Sequence, residues 1–259
     1  MKNVAILFIL SLFMLSFSLK NARPTLFIIG DSTVKNGNGR GNTDSLWGWG
    51  SVIPKLFDTT QIEIQNHAIG GRSSRTFITE KRWEKVANDL KTGDFVLIQF
   101  GHNDAGALDD TARARGSIRG ISDSTKEIYN PIRKIQETVH TYGWYMRQYV
   151  REAQAKGAIP IICSLVPRNQ WDKNNKIKLS DESYALWAEQ IATEEGALFI
   201  DLNKKVALEY EKMSEAELRQ KFFPKDHTHT NLAGAELNAR VVADGVKQLD
   251  KCGLKQYLK

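Results

Sequence analysis

Short apolar runs punctuate the chain, and between them the apolar residues recur at helical spacing. The runs cover residues 25–29, 62–65, 95–100, 159–164 and 198–201. Continuous apolar strands of this length fit a parallel sheet covered on both faces. The intervening stretches 50–57, 82–90, 128–155, 180–195 and 232–249 read as helices. In 82–90, Trp83, Val86, Ala87 and Leu90 form one stripe at i, i+3, i+4 and i+7. The longest stretch is expected to break near Gly143, and 180–195 to open on a capping Ser180. Alternating strands and helices predict an α/β protein: a three-layer α/β/α sandwich around a five-stranded parallel sheet with right-handed crossovers. Ligand sites in such sheets lie at the carboxyl ends of the strands. Segments 104–127 and 167–179 show no period, and long aperiodic loops in compact domains are usually functional or disordered.

The first 22 residues do not join this pattern. Lys2 gives a positive start, residues 4–17 are almost wholly apolar, and small and polar residues follow to Ala22. That is the form of a secretory signal peptide, and the run is short for a membrane span. The reading is therefore a leader over 1–22, one domain over 23–259, and a secreted or periplasmic product. Without Lys2 and Lys20 the formal charge of +6 falls to +4. The excess is dispersed, with no basic run of the kind that tracks nucleic acid. Cys163 ends an apolar run and reads as a buried strand residue, so it is expected to stay unpaired with Cys252.

Four blocks carry candidate chemistry. Gly30-Asp31-Ser32-Thr33 follows the first strand and would present a hydroxyl at the sheet edge; alone, it reads first as a capped strand–helix turn. Asn66-His67-Ala68-Ile69-Gly70-Gly71-Arg72-Ser73 follows the second, and its paired glycines allow close backbone approach, or simply a tight turn. Gly101-His102-Asn103-Asp104 follows the third; Asn103 offers an uncharged NH₂ donor or a turn residue. Asp226-His227-Thr228-His229 precedes the last helix, with a carboxylate three residues from an imidazole; alone, its His-x-His pair reads more readily as metal-like or structural. In combination the blocks supply a nucleophile, neutral donors, and a base with its orienting acid, which are the parts acyl transfer requires.

These residues resemble the SGNH (GDSL-type) hydrolase superfamily, and within it the rhamnogalacturonan acetylesterase branch. The likeness extends to Lys35-Asn36-Gly37, Trp47-Gly48-Trp49-Gly50, and Thr230 with Ala233-Gly234-Ala235. It implies a flavodoxin-like SGNH fold and a serine esterase that removes acetyl groups from a cell-wall polysaccharide. Position by position it implies Ser32 as nucleophile, His229 as base and Asp226 as its partner. The backbone N–H of Ser32, that of Gly71 and the Asn103 side chain become the oxyanion hole. Neither a metal nor an organic cofactor is expected.

The expected partner is an acetylated polysaccharide or oligosaccharide, with no nucleic acid, no stable membrane insertion after leader removal, and a monomeric state. Candidate substrate contacts are Trp47, Trp49, Arg72 and Trp171, with Trp144, Arg113, Arg115 and Arg168 as further candidates; Trp83 and Trp187 read as core. Competing functions are an acetyl xylan esterase, a lipid or thioester hydrolase, a metal hydrolase built on the histidines, and a non-catalytic sugar-binding protein.

Overall fold

A computed structural model describes residues 23–35, 37 and 46–259; the leader over 1–22 and Asn36 lie outside the described residues. Strands β1 (Thr25–Gly30), β2 (Glu63–Asn66), β3 (Phe95–Gln99), β6 (Ile159–Cys163) and β7 (Leu198–Ile200) form one parallel sheet, ordered β2-β1-β3-β6-β7. Two further strands, β4 (Thr125–Asn130) and β5 (Ile135–His140), pair antiparallel as a separate hairpin.

Strand alternation sorts the core into two layers. Leu26, Ile28, Leu97 and Ile161 face one cluster, while Phe27, Ile29, Val96, Ile98 and Ile162 face the other. The first cluster packs against α5 (Leu202–Tyr210), α6 (Glu215–Phe222) and α7 (Leu232–Gln248). The second packs against α1 (Ser74–Thr79), α2 (Arg82–Asp89), α3 (Tyr142–Ala155) and α4 (Tyr184–Glu194). Each fully buried Ile or Leu contributes about 1.5–3 kcal/mol of transfer free energy, so a sheet apolar on both faces must be covered on both. The expected sandwich is what these residues build. β2, at the edge, is the exception, with Glu63 exposed.

Side chains start several helices. Ser73 and Thr76 form a reciprocal capping box on α1, Ser214 and Glu217 do so on α6, and Asn231 accepts from Gly234 N on α7. α4 corrects the expectation. It begins at Tyr184, and Ser180 sits ahead of it, its carbonyl taking the amides of Ser183 and Ala185. The stretch 50–57 is two short 3₁₀ turns around Pro54 rather than one helix.

The larger correction is 128–155. Only its second half is helical, from the Thr141 cap onward. Pro131 lacks the N–H and clashes with a helix interior, and the preceding residues alternate: Ile128 and Asn130 are buried, Glu127 and Tyr129 exposed. Asn130 Oδ1 accepts the amides of Ile132 and Arg133, which turns the chain into β5. Cys163 and Cys252 are free thiols, both buried; burial pushes the Cys163 thiol up.

Candidate active site

The sheet order reverses direction between β1 and β3, and a crevice opens there beyond their carboxyl ends. Ser32 follows β1, Gly71 follows β2 and Asn103 follows β3, so the topology brings three separate blocks to one edge. They line a cleft of about 500 Å³ together with His229.

Ser32 sits on a tight turn in which Asp31 O takes the amides of Val34 and Lys35 at 3.2 and 2.9 Å. Its Oγ lies 2.8 Å from His229 Nε2. On the other side of the ring, Nδ1 lies 2.8 Å from Asp226 Oδ2. The carboxylate fixes which nitrogen carries hydrogen: Nδ1 donates to Asp226, and Nε2 is left to accept from the serine hydroxyl. Asp226 Oδ1 also accepts the amides of Thr228 and His229 at 2.7 and 2.8 Å, so one carboxylate shapes the turn and orients the ring. Partial burial acts to raise the Asp226 carboxyl, but the hydrogen bonds from His229 and Thr228 prevail and hold it below the usual range. The turn is tied down further: Trp47 N donates to Thr230 O and Asn169 N to His227 O, both at 2.8 Å. His227 itself is exposed.

Neutral donors face the same space. Gly71 adopts φ +78°, a left-handed conformation that penalises any Cβ. Among the described residues no acceptor takes the amide hydrogen of Ser32 or of Gly71. One hydrogen of the Asn103 side-chain amide goes to Arg72 O at 2.9 Å, which leaves the second for the cleft.

Two buried carboxylates support the blocks, and the sequence reading missed both. Asp31 Oδ1 holds Thr33, while Oδ2 lies 3.2 Å from His102 Nδ1; His102 Nε2 in turn faces Val166 O at 3.0 Å. Burial opposes the Asp31 charge, but His102 and Thr33 together hold its carboxyl below the usual range. Asp104 receives the Ser74 amide and hydroxyl and the Ser117 hydroxyl, and so joins the Asn103 turn to the start of α1. Burial dominates there and pushes the carboxyl up to about 6. The signal was present, since each acid lies inside one of the four blocks, next to Ser32 or Asn103, but an aspartate in a turn is too common to single out.

The substrate-contact candidates divide. Arg72 lines the cleft, its Nε 2.9 Å from Glu80 Oε2. Arg113 and Arg115 also line it. The tryptophans do not. Trp49 is 0% exposed and donates to Gln99 Oε1 inside the core, which corrects its assignment as a sugar contact. Trp47 packs on the core beneath Gly37, and Trp171 packs on the same cluster with its Nε1 donating to Asn169 Oδ1. Trp144 stacks on His140 at 3.7 Å, away from the cleft lining. Trp83 is core, as expected. Ile132 at the hairpin tip lines the cleft as well; a helical reading of that stretch hid it.

Similarity to known proteins puts the chain in the class of the carboxylic ester hydrolases. Residues 28–237 match the GDSL-like Lipase/Acylhydrolase family, and the chain belongs to that family. It is similar to the rhamnogalacturonan acetylesterase of Emericella nidulans, 34% identical over 88% of this chain and 85% of that protein. It is also similar to the probable rhamnogalacturonan acetylesterase YesY of Bacillus subtilis, 31% identical over 86% of this chain and 93% of that one. The crystal structure of protein YXIM from Bacillus subtilis superposes with a TM-score of 0.72 at 23% identity, covering 90% of this chain; the chain spans 58% of that structure. This last likeness concerns the fold.

Proposed function

We propose that the chain is a carbohydrate O-acetylesterase that deacetylates a pectic polysaccharide, rhamnogalacturonan in the first place, through an acetyl-enzyme on Ser32. The observation that carries the reading is the 2.8 Å contact between Ser32 Oγ and His229 Nε2, inside a cleft rimmed by uncharged N–H groups. The two acetylesterase relatives support the substrate class.

His229 Nε2 takes the hydroxyl proton as Ser32 Oγ bonds to the acetyl carbonyl carbon. The carbonyl oxygen becomes an oxyanion, met by the amides of Ser32 and Gly71 and the free hydrogen of Asn103. Asp226 stabilises the imidazolium without taking its proton. Collapse expels the sugar alkoxide, which leaves as the alcohol with the proton from His229. Water then loses a proton to His229, attacks the acetyl group and releases acetate, and the proton returns to Ser32. An acetyl group is small, so the sugar supplies the specificity. In the same reading residues 1–22 are removed on export.

Acetate release from acetylated rhamnogalacturonan, homogalacturonan and xylan tests this directly. The wild type is expected to prefer the first, and Ser32→Ala to release none. Equal release by Ser32→Ala would remove the nucleophile; release from xylan alone would remove the pectic substrate.

A further inference from the structure

One side of the cleft is built from a loop that a buried charge holds in place. Arg75, on α1, has no exposed side-chain surface. Its Nε donates to Glu137 Oε1 on the hairpin at 2.8 Å. Its Nη1 donates to Leu108 O at 2.9 Å and to Gly116 O at 2.8 Å, the two carbonyls that bracket residues 109–115. Asn130 Nδ2 completes the set by donating to Glu137 Oε2 at 2.6 Å. A desolvated ion pair is costly, and here it clamps both ends of one loop to one hairpin.

Inside the loop the backbone is equally constrained. Ala114, 1% exposed, is held at φ +40°, where a Cβ is penalised. A Cβ at Gly116 would lie 1.8 Å from Gly106 O, so only glycine fits. Asp110 Oδ1 takes the amides of Ala112 and Arg113 at 2.8 and 2.6 Å. A backbone constrained in this way holds the side chains on either side of Ala114 in fixed directions.

Those side chains are Arg113 and Arg115, which flank Ala114 and line the cleft beside Ser32. Arg115 Nη1 donates to Gly71 O at 3.3 Å. Among the described residues neither guanidinium has a carboxylate in ion-pair contact, whereas Arg72 pairs with Glu80 at 2.9 Å and shares it with Arg82 at 2.6 Å. Two guanidinium groups with no ion-pair contact among the described residues therefore face the space next to the nucleophile; Asp110 acts on Arg115 only from beyond contact distance. Ile132, 50% exposed at the hairpin tip, adds an apolar surface to the same wall.

We infer that Arg113 and Arg115 form a subsite for the carboxylate of an acidic sugar of the acetylated chain, with Ile132 against the carbon–hydrogen face of that ring. The inference rests on the acetylesterase reading for its substrate, and it names the residues that select a uronate-bearing chain over a neutral one. Guanidinium forks match carboxylates bidentately, which gives direction as well as attraction.

Titration calorimetry of the full chain with unacetylated hexagalacturonate and with its fully methyl-esterified form tests the subsite. The acid is expected to bind about tenfold tighter than the ester, with the preference shrinking as salt is raised. In R113Q/R115Q the ratio should fall to within about threefold, while R113K/R115K, which keeps the charges but not the forks, should retain part of it. Acid and ester binding alike to the wild type, or an unchanged ratio in R113Q/R115Q, would overturn it. The probes carry no acetyl group, so the acetate-release assay reports separately on the esterase reading.

Discussion

Asp226 does two things with one carboxylate, and substitution can separate them. Asn at this position keeps an oxygen to accept the amides of Thr228 and His229, so the turn survives. Its NH₂ would then face His229 Nδ1 and force the other tautomer, with hydrogen on Nε2 pointing at Ser32. Asp226→Asn should therefore fold normally and lose roughly 10³–10⁴ in kcat on an acetyl ester. A loss under about tenfold would show that the carboxylate does not set the tautomer. Asn103→Ala removes one neutral donor and should cost roughly 10²–10³ in kcat with little change in KM, read from the same progress curves. At this scale the sequence was informative wherever chemistry restricts residue type. Ser32, Gly71, Asn103 and His229 line one cleft, with Asp226 against His229, and few residue types supply a hydroxyl, a positive φ or an uncharged amide donor. Trp49 misled because an indole serves a core as well as a sugar face; its Nε1 partner, Gln99, lies on a different strand and is invisible locally.

Among the elements, the hairpin shows why local pattern was insufficient. Apolar residues in 128–155 recur at spacings compatible with a helix, and the alternation confined to 125–140 is short. What decides it is tertiary: Glu137 is buried where Arg75 meets it, and Arg75 lies far away on α1. Burial opposes the charge of Glu137, but Arg75 and Asn130 hold its carboxyl below the usual range. The Nη2 of Arg75 is buried with no partner among the described residues, so the guanidinium is incompletely compensated. Arg75→Met should leave Glu137 buried beside an apolar chain and destabilise the fold by about 3–5 kcal/mol in urea unfolding. Arg75→Met with Glu137→Met should recover most of that loss, since a packed apolar pair can replace a buried ion pair at little cost. A double variant no more stable than the single would mean that the clamp acts through the loop carbonyls of Leu108 and Gly116 rather than through the charge pair.

For the whole molecule, the sheet was legible because continuous apolar runs leave few options, and the β2-β1-β3-β6-β7 order then fixes where the crevice opens. The buried polar framework beneath it was not, since a carboxylate such as Asp104 looks like any turn aspartate until two layers close over it. That framework should show in the pH dependence of stability. Burial raises Asp104 to about 6, above its unfolded value, so the native state binds this proton more tightly than the unfolded chain does. Stability from this group is therefore greatest at or below the ordinary carboxylate range and declines as pH rises through about 6. Asp31 and Asp226 are depressed and act in the opposite sense: their contributions are complete above the ordinary carboxylate range and are lost only as pH falls below it. The two effects occupy different windows, so Asp104 can be isolated. Asp104→Asn keeps an acceptor for Ser74 and removes the titration. Between neutral pH and pH 5, the stability of the wild type relative to Asp104→Asn should rise on acidification, by about 1.4 kcal/mol for each pH unit once below the folded pKa. Urea unfolding of both proteins across that range measures it. A constant difference would mean that Asp104 stays charged throughout, held by Ser74 and Ser117 more strongly than burial opposes it.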